Sequence, residues 1–193
     1  MNILPIDELN TFIYRFTAQY EQKKRLPDEE DIIDELLDLY LLAYASGAEA
    51  AKIDLSVTIT PDAKAAQNAI YAPVAGETWE DRVKKYTREG GTPADIFRIA
   101  ETDMTRIYNT AALDTVKANG IENVTYKRWN TMLDDKVRDT HSYLEGVIVP
   151  YDAEFYTYDG DRARAPGMFA LAENNVNCRC VIELTRECQR QRR

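Results

Sequence analysis

The chain has 193 residues, 45% hydrophobic and 30% charged, an ordinary globular balance that excludes intrinsic disorder and fibrous repeats. A net charge of -9, from 33 acidic and 24 basic side chains, argues against a protein whose main work is gripping a phosphate backbone. The longest apolar stretch, Leu36 to Ala45, is broken by Asp38 and far short of the ~20 residues that cross a bilayer; with no signal-peptide pattern at the N-terminus, a soluble intracellular chain without membrane contact is expected.

The first half reads as helices. Ile6, Leu9, Phe12, Ile13, Phe16 and Tyr20 recur at steps of three and four, which predicts a helix from Ile6 to about Lys24. A second helix follows, with Pro27 at its first position, Asp28 to Asp31 complementing the positive end of the helix dipole, and Ile33, Leu36, Leu37, Tyr40, Leu41 and Tyr44 as its apolar stripe. The two are expected to form an antiparallel hairpin. Shorter helical patterns, Asp62 to Tyr71 and Trp79 to Glu89, are separated by Pro73 and Gly76.

The clearest helix starts at Thr92-Pro93-Ala94-Asp95, which supplies an N-cap, a proline in the first turn and an acid at the capping-box position; Gly120 marks its end. Ile96, Ile99, Met104, Ile107, Ala111 and Val116 can line its buried side over about 40 Å at 1.5 Å per residue. After Gly120 the pattern turns to strands: Val124 to Trp129, Val147 to Val149, Glu154 to Tyr158 turning at Asp159-Gly160, and Cys180 to Leu184. A short helix from Asp134 to Leu144, closed by Gly146, is expected between the first two. The fold class is therefore α+β: a helical N-terminal lobe over residues 1–91, then over 92–193 the long helix and a small, mostly antiparallel sheet with one short helix.

Chemistry-bearing residues are few. An odd cysteine count (Cys178, Cys180 and Cys188) without a signal peptide argues for reduced thiols. On a strand, Cys178 and Cys180 share a face with alpha carbons roughly 6.5 to 7 Å apart, at the limit for a bridge, so an intrachain bond is disfavoured. The basic tail Arg186 to Arg193 and the cluster Arg82, Lys84, Lys85 and Arg88 are read as solvated surface, with DNA contact through the tail as the alternative.

Three segments taken in order resemble the phage Mu F-like minor head protein (head-morphogenesis) family. They are Glu101-Thr102-Asp103 with Arg106 and Asn109 on the long helix, where the family's usual Arg-Thr-Glu is altered; Trp129, Asp134, Arg138, His141 and Gly146; and Pro166-Gly167 leading to Asn177-Cys178-Arg179-Cys180. The resemblance covers roughly Thr92 to Leu184. It implies a structural, non-enzymatic protein of the virion, present in few copies. It would reside in the host cytoplasm during assembly, contact the portal protein and procapsid components, and have a further role in DNA ejection. No small-molecule substrate is implied. Related modules are fused to toxin domains; no such domain is expected here, since the N-terminal 90 residues, where it would have to lie, read as amphipathic packing or partner helices rather than an active site.

On one helix, Asp134, Arg138 and His141 would share a face and make a polar clasp over Trp129, with Arg138 reaching a carboxylate and His141 the Asn177 to Cys180 strand. Two rivals use the same residues. His141, Cys178 and Cys180 are suitable zinc ligands, but lack the fourth ligand and the paired spacing of structural sites, so a metal-free thiol core is preferred and no cofactor is expected. A thiol-dependent or metal-dependent hydrolase would need a thiol of lowered pKa in an open cleft, which the sequence does not supply.

Overall fold

The computed structural model describes residues 4–74 and 76–186, so Cys188 and the basic tail beyond Arg186 lie outside the described residues. Five helices come first: α1 (Ile6–Lys23), α2 (Glu29–Leu55), α3 (Ala63–Ile70), α4 (Trp79–Arg88) and α5 (Pro93–Ala118). A single 3-10 turn then leads into β1 (Tyr126–Asn130), α6 (Asp139–Ser142), β2 (Ile148–Pro150), β3 (Phe155–Tyr156), β4 (Arg162–Ala163), α7 (Ala172–Asn175) and β5 (Val181–Thr185). The class is α+β, with an antiparallel sheet in the order β2-β1-β5 and a separate β3-β4 hairpin.

Local chemistry sets the helix starts. Asp62 caps α3 by accepting from Ala65 N at 2.8 Å, and Thr78 and Asp81 make a reciprocal capping box on α4. On α5, Asp95 reaches back to the Thr92 backbone N–H at 2.9 Å and its hydroxyl at 2.8 Å, with Pro93 in the first turn. Arg15 and Glu35 pair at 2.7 Å, ten positions either side of Arg25, as an antiparallel α1–α2 hairpin requires.

Helix α5 is the axis of the molecule. Every residue from Glu101 to Asn109 is buried. One apolar cluster packs Phe12, Phe16, Leu36, Tyr40 and Trp79 from α1, α2 and α4 against Ile96, Met104 and Ile107. A second gathers Leu55 of α2 and Val116 of α5 with Trp129, Phe155, Phe169 and Ile182 beneath the sheet. Each of these large side chains contributes ~1.5–3 kcal/mol by leaving water.

The α2 stripe is rotated from the sequence expectation. Ile32, Leu36, Leu39, Tyr40, Ala43 and Tyr44 are buried, Ile33 and Leu37 are half-buried, and Leu41 is exposed. Pro27 precedes the helix and Asp28 takes the cap position. The rotation follows from the close approach of α5, which needs small residues: a Cβ at Gly47 would sit 2.1 Å from Tyr108 O.

Candidate functional site

A helix buried on all sides should be apolar on all sides, yet the middle of α5 reads Glu-Thr-Asp-Met-Thr-Arg-Ile-Tyr-Asn. Most of these polar groups have partners. Asp103, with no exposed surface, pairs with Arg82 of α4 at 2.7 Å and with Arg106 at 3.2 Å. Arg106 also donates to Ala69 O at 2.8 Å, in the last turn of α3. Thr102 accepts from Asn177 N at 3.2 Å, and Thr105 donates to Cys178 O at 2.6 Å. Asn109 donates to Cys180 O and Pro166 O at 3.2 and 3.3 Å and accepts from Ile182 N at 2.9 Å. The α5 motif is thus a polar spine that seats the start of β5. Gly167, at φ 83, passes so close that a Cβ there would meet Arg106 Cα at 3.0 Å.

The helix expected from Asp134 to Leu144 does not form over that span: only Asp139–Ser142 is helical, and Arg138 is its extended N-cap. Leu133 adopts a left-handed φ of 54, and Asp134 accepts from Lys136 N at 3.2 Å, an Asx turn that competes with helix. Asp134, Arg138 and His141 therefore share no helical face. They still converge on the segment that leads into the last strand, each separately. Asp134 pairs with Arg179 at 2.8 Å, and this contact holds its carboxyl below the usual carboxylate range. Arg138 donates to Val176 O at 2.6 Å rather than to a carboxylate. Asn177, a residue type that tolerates it, makes the left-handed turn at φ 56 that aims the thiols.

His141 is buried, and its Nδ1 lies 3.5 Å from both Cys178 Sγ and Cys180 Sγ. The three donor atoms all fall within 4.8 Å of one another. The ring packs edge-on to Trp129 at 5.3 Å and stacks on Phe169 at 5.4 Å. The Cys180 thiol, reinforced by His141, pulls the Cys178 thiol well below its ordinary range against the effect of burial. Contact with Cys178, together with burial, pushes Cys180 up. Trp129 supports the group from β1, held by Gly146, whose N–H donates to Trp129 O at 2.8 Å while φ 73 turns the chain. The cavity that His141 and both thiols line measures about 10 Å³, room for one water, and a groove of about 600 Å³ beside it shares Arg138, Asn177 and Arg179 but none of those three donors.

Several organising residues escaped the sequence reading. Lys127, wholly buried on the same strand face as Trp129, donates to Ala153 O at 2.7 Å and Arg164 O at 2.8 Å. Asp161 accepts from Arg162, Ala170 and Leu171 backbone N–H groups and from Asn174. Strand alternation from Trp129 points to Lys127, and Asp103 stands four residues from both Ile99 and Ile107 on the apolar face. Nothing comparable marks Asp161. Of the basic cluster read as solvated, Arg82 turns inward to Asp103.

The family model described as phage Mu protein F like protein matches residues 63–183. The chain belongs to that family. It is 36% identical over 56 residues to the minor head protein GP7 of Bacillus phage SPP1, covering 29% of this chain and 18% of that protein. It is also 30% identical over 145 residues to the NAD(+)--arginine ADP-ribosyltransferase EFV of Enterococcus faecalis strain ATCC 700802 / V583, covering 59% of this chain and 30% of that protein. The chain thus spans less than a third of either relative. No solved structure matches. Among the described residues no helix is long and apolar enough to cross a membrane.

Proposed function

We propose that this chain is a structural minor head protein of a tailed bacteriophage that acts in head assembly beside the portal. The observation that carries the reading is the family match over residues 63–183, joined by the likeness to a phage minor head protein. In this proposal residues 92–193 form the family's structural unit, and Trp129, Asp134, Arg138, His141, Gly146 and the Asn177 to Cys180 run clasp it together. The helical part, 1–91, meets the partner. Support for that role comes from the outer face of α2, where Asp31, Asp34, Asp38 and Glu49 flank exposed Leu41 and Leu42. An apolar pair rimmed by acids suits a basic-rimmed protein surface.

The histidine and thiols in this reading hold structure rather than turn over a substrate, because all three are buried, line a space of about 10 Å³ and stay out of the lining of the groove of about 600 Å³ beside it. Co-expression with the portal protein of the same phage tests the proposal. Stable co-purification, weakened by Asp34→Lys with Asp38→Lys, is expected along with low-copy presence in purified heads. A protein missing from purified heads overturns it.

A further inference from the structure

The sequence spacing speaks against a metal, but the geometry does not follow the spacing. Three lone-pair donors, His141 Nδ1, Cys178 Sγ and Cys180 Sγ, converge from α6 and from the turn before β5, with Nδ1 equidistant from the two sulfurs at 3.5 Å. A tetrahedral zinc with Zn–S of about 2.3 Å and Zn–N of about 2.0–2.1 Å requires sulfur-to-nitrogen separations of about 3.5 Å. The cluster already has that spacing, and its ligand atoms lie mutually within 4.8 Å.

The surroundings suit a closed metal centre. The adjoining cavity of about 10 Å³ accepts a single water as fourth ligand, and Arg138 Nη1, buried and without a hydrogen-bond partner, belongs to a side chain lining that same cavity. A guanidinium N–H there can donate to a metal-bound thiolate or to the fourth ligand. Trp129 and Phe169 wall the imidazole and fix its plane.

We propose that His141, Cys178 and Cys180 bind one zinc ion, with water as the fourth ligand, tying α6 to the turn before β5. Binding displaces the thiol protons to solvent and involves no redox change. The site is independent of the head-assembly reading.

The test uses the full chain, expressed with added zinc and purified under reductant without chelator. About one zinc per chain by elemental analysis is expected, and cobalt exchanged into the site should show a sulfur-to-metal charge-transfer band with the strong visible absorption of a tetrahedral centre. Cys178→Ser and Cys180→Ser should each weaken binding by at least about a hundredfold, more than changes around a metal's ligands cost, while Cys188→Ser keeps full stoichiometry. The cobalt spectrum of the unaltered chain decides the matter should a serine variant fail to fold. No retained zinc and no charge-transfer band, or loss of metal on Cys188→Ser, would overturn the assignment.

Discussion

The side-chain oxygen of Asn109 accepts from the backbone N–H of Ile182 at 2.9 Å, fastening the centre of α5 to the start of β5. Its amide nitrogen faces three carbonyls, those of Thr105, Pro166 and Cys180. Asn109→Asp keeps the shape and the first bond but points an oxygen at those three acceptors. A loss of about 3 kcal/mol follows as the buried carbonyls of Pro166 and Cys180 lose the amide donor. Urea denaturation monitored by circular dichroism reads it, and a change below about 1 kcal/mol contradicts the role.

Asp103 and Arg106 make a different kind of contact. The carboxylate, with no exposed surface, stands between Arg82 and Arg106, so removing it strands two guanidinium groups near the core. Asp103→Ala is expected to cost about 3–5 kcal/mol, the range for breaking one side of a buried ion pair. Asp103→Asn, which keeps an acceptor, should lose less. Equal, small effects for both substitutions would mean that solvent screens the network.

What the chain reveals by inspection divides along the range of its interactions. The long helix announces itself because Thr92, Pro93, Asp95 and Gly120 act within a few residues of themselves. The Asp134 to Leu144 segment misleads because its polar spacing fits a helix while its partners lie elsewhere: Asp134 is claimed by Arg179 and Arg138 by Val176 O. Residue types alone raise the association of His141 with the two thiols, but the left-handed turn at Asn177 that brings both sulfurs to one nitrogen is set by tertiary contact with Thr102. The solvent side of α2 is likewise decided by how closely α5 approaches Gly47, which periodicity does not encode.

That approach predicts a sharp contrast between two glycines. At Gly47 a Cβ would lie 2.1 Å from Tyr108 O and 2.9 Å from Tyr108 C, so only a shift of α2 away from α5 can accommodate it. Gly47→Ala should therefore cost at least about 3 kcal/mol, the upper end of overpacking penalties. Gly76 has a φ of 85 and open space around it. Gly76→Ala should cost only ~1–2 kcal/mol of backbone strain. Thermal melts of the pair read the contrast, at roughly 2–4 °C per kcal/mol for a chain of this size. A reversed order would contradict the close α2–α5 packing.

Lys127 makes stability depend on alkaline pH in a direction opposite to that of the buried tyrosines. Burial, reinforced by Arg164 and opposed by Asp152 and Glu154, pushes its ammonium down to about 8 from an ordinary 10.5. Below pH 8 the folded state must hold this charge in a buried site, and the full penalty applies. Between about pH 8 and 10.5 the unfolded chain binds more protons than the folded one, so this group's contribution rises with pH. Tyr40, Tyr44 and Tyr108, raised chiefly by burial, act the other way above their ordinary value of 10.0, where the unfolded chain loses protons first. Subtracting the stability curve of Lys127→Met removes the tyrosine contribution, which both proteins share. The unaltered chain should gain about 2–3 kcal/mol on the variant between pH 7 and 10.5, at ~1.4 kcal/mol for each pH unit separating the folded and unfolded ammonium. The carbonyls of Ala153 and Arg164, which Lys127 satisfies at 2.7 and 2.8 Å, add a constant offset in the variant and do not alter that slope. A flat difference curve would mean that those two carbonyls hold the ammonium as well as water does.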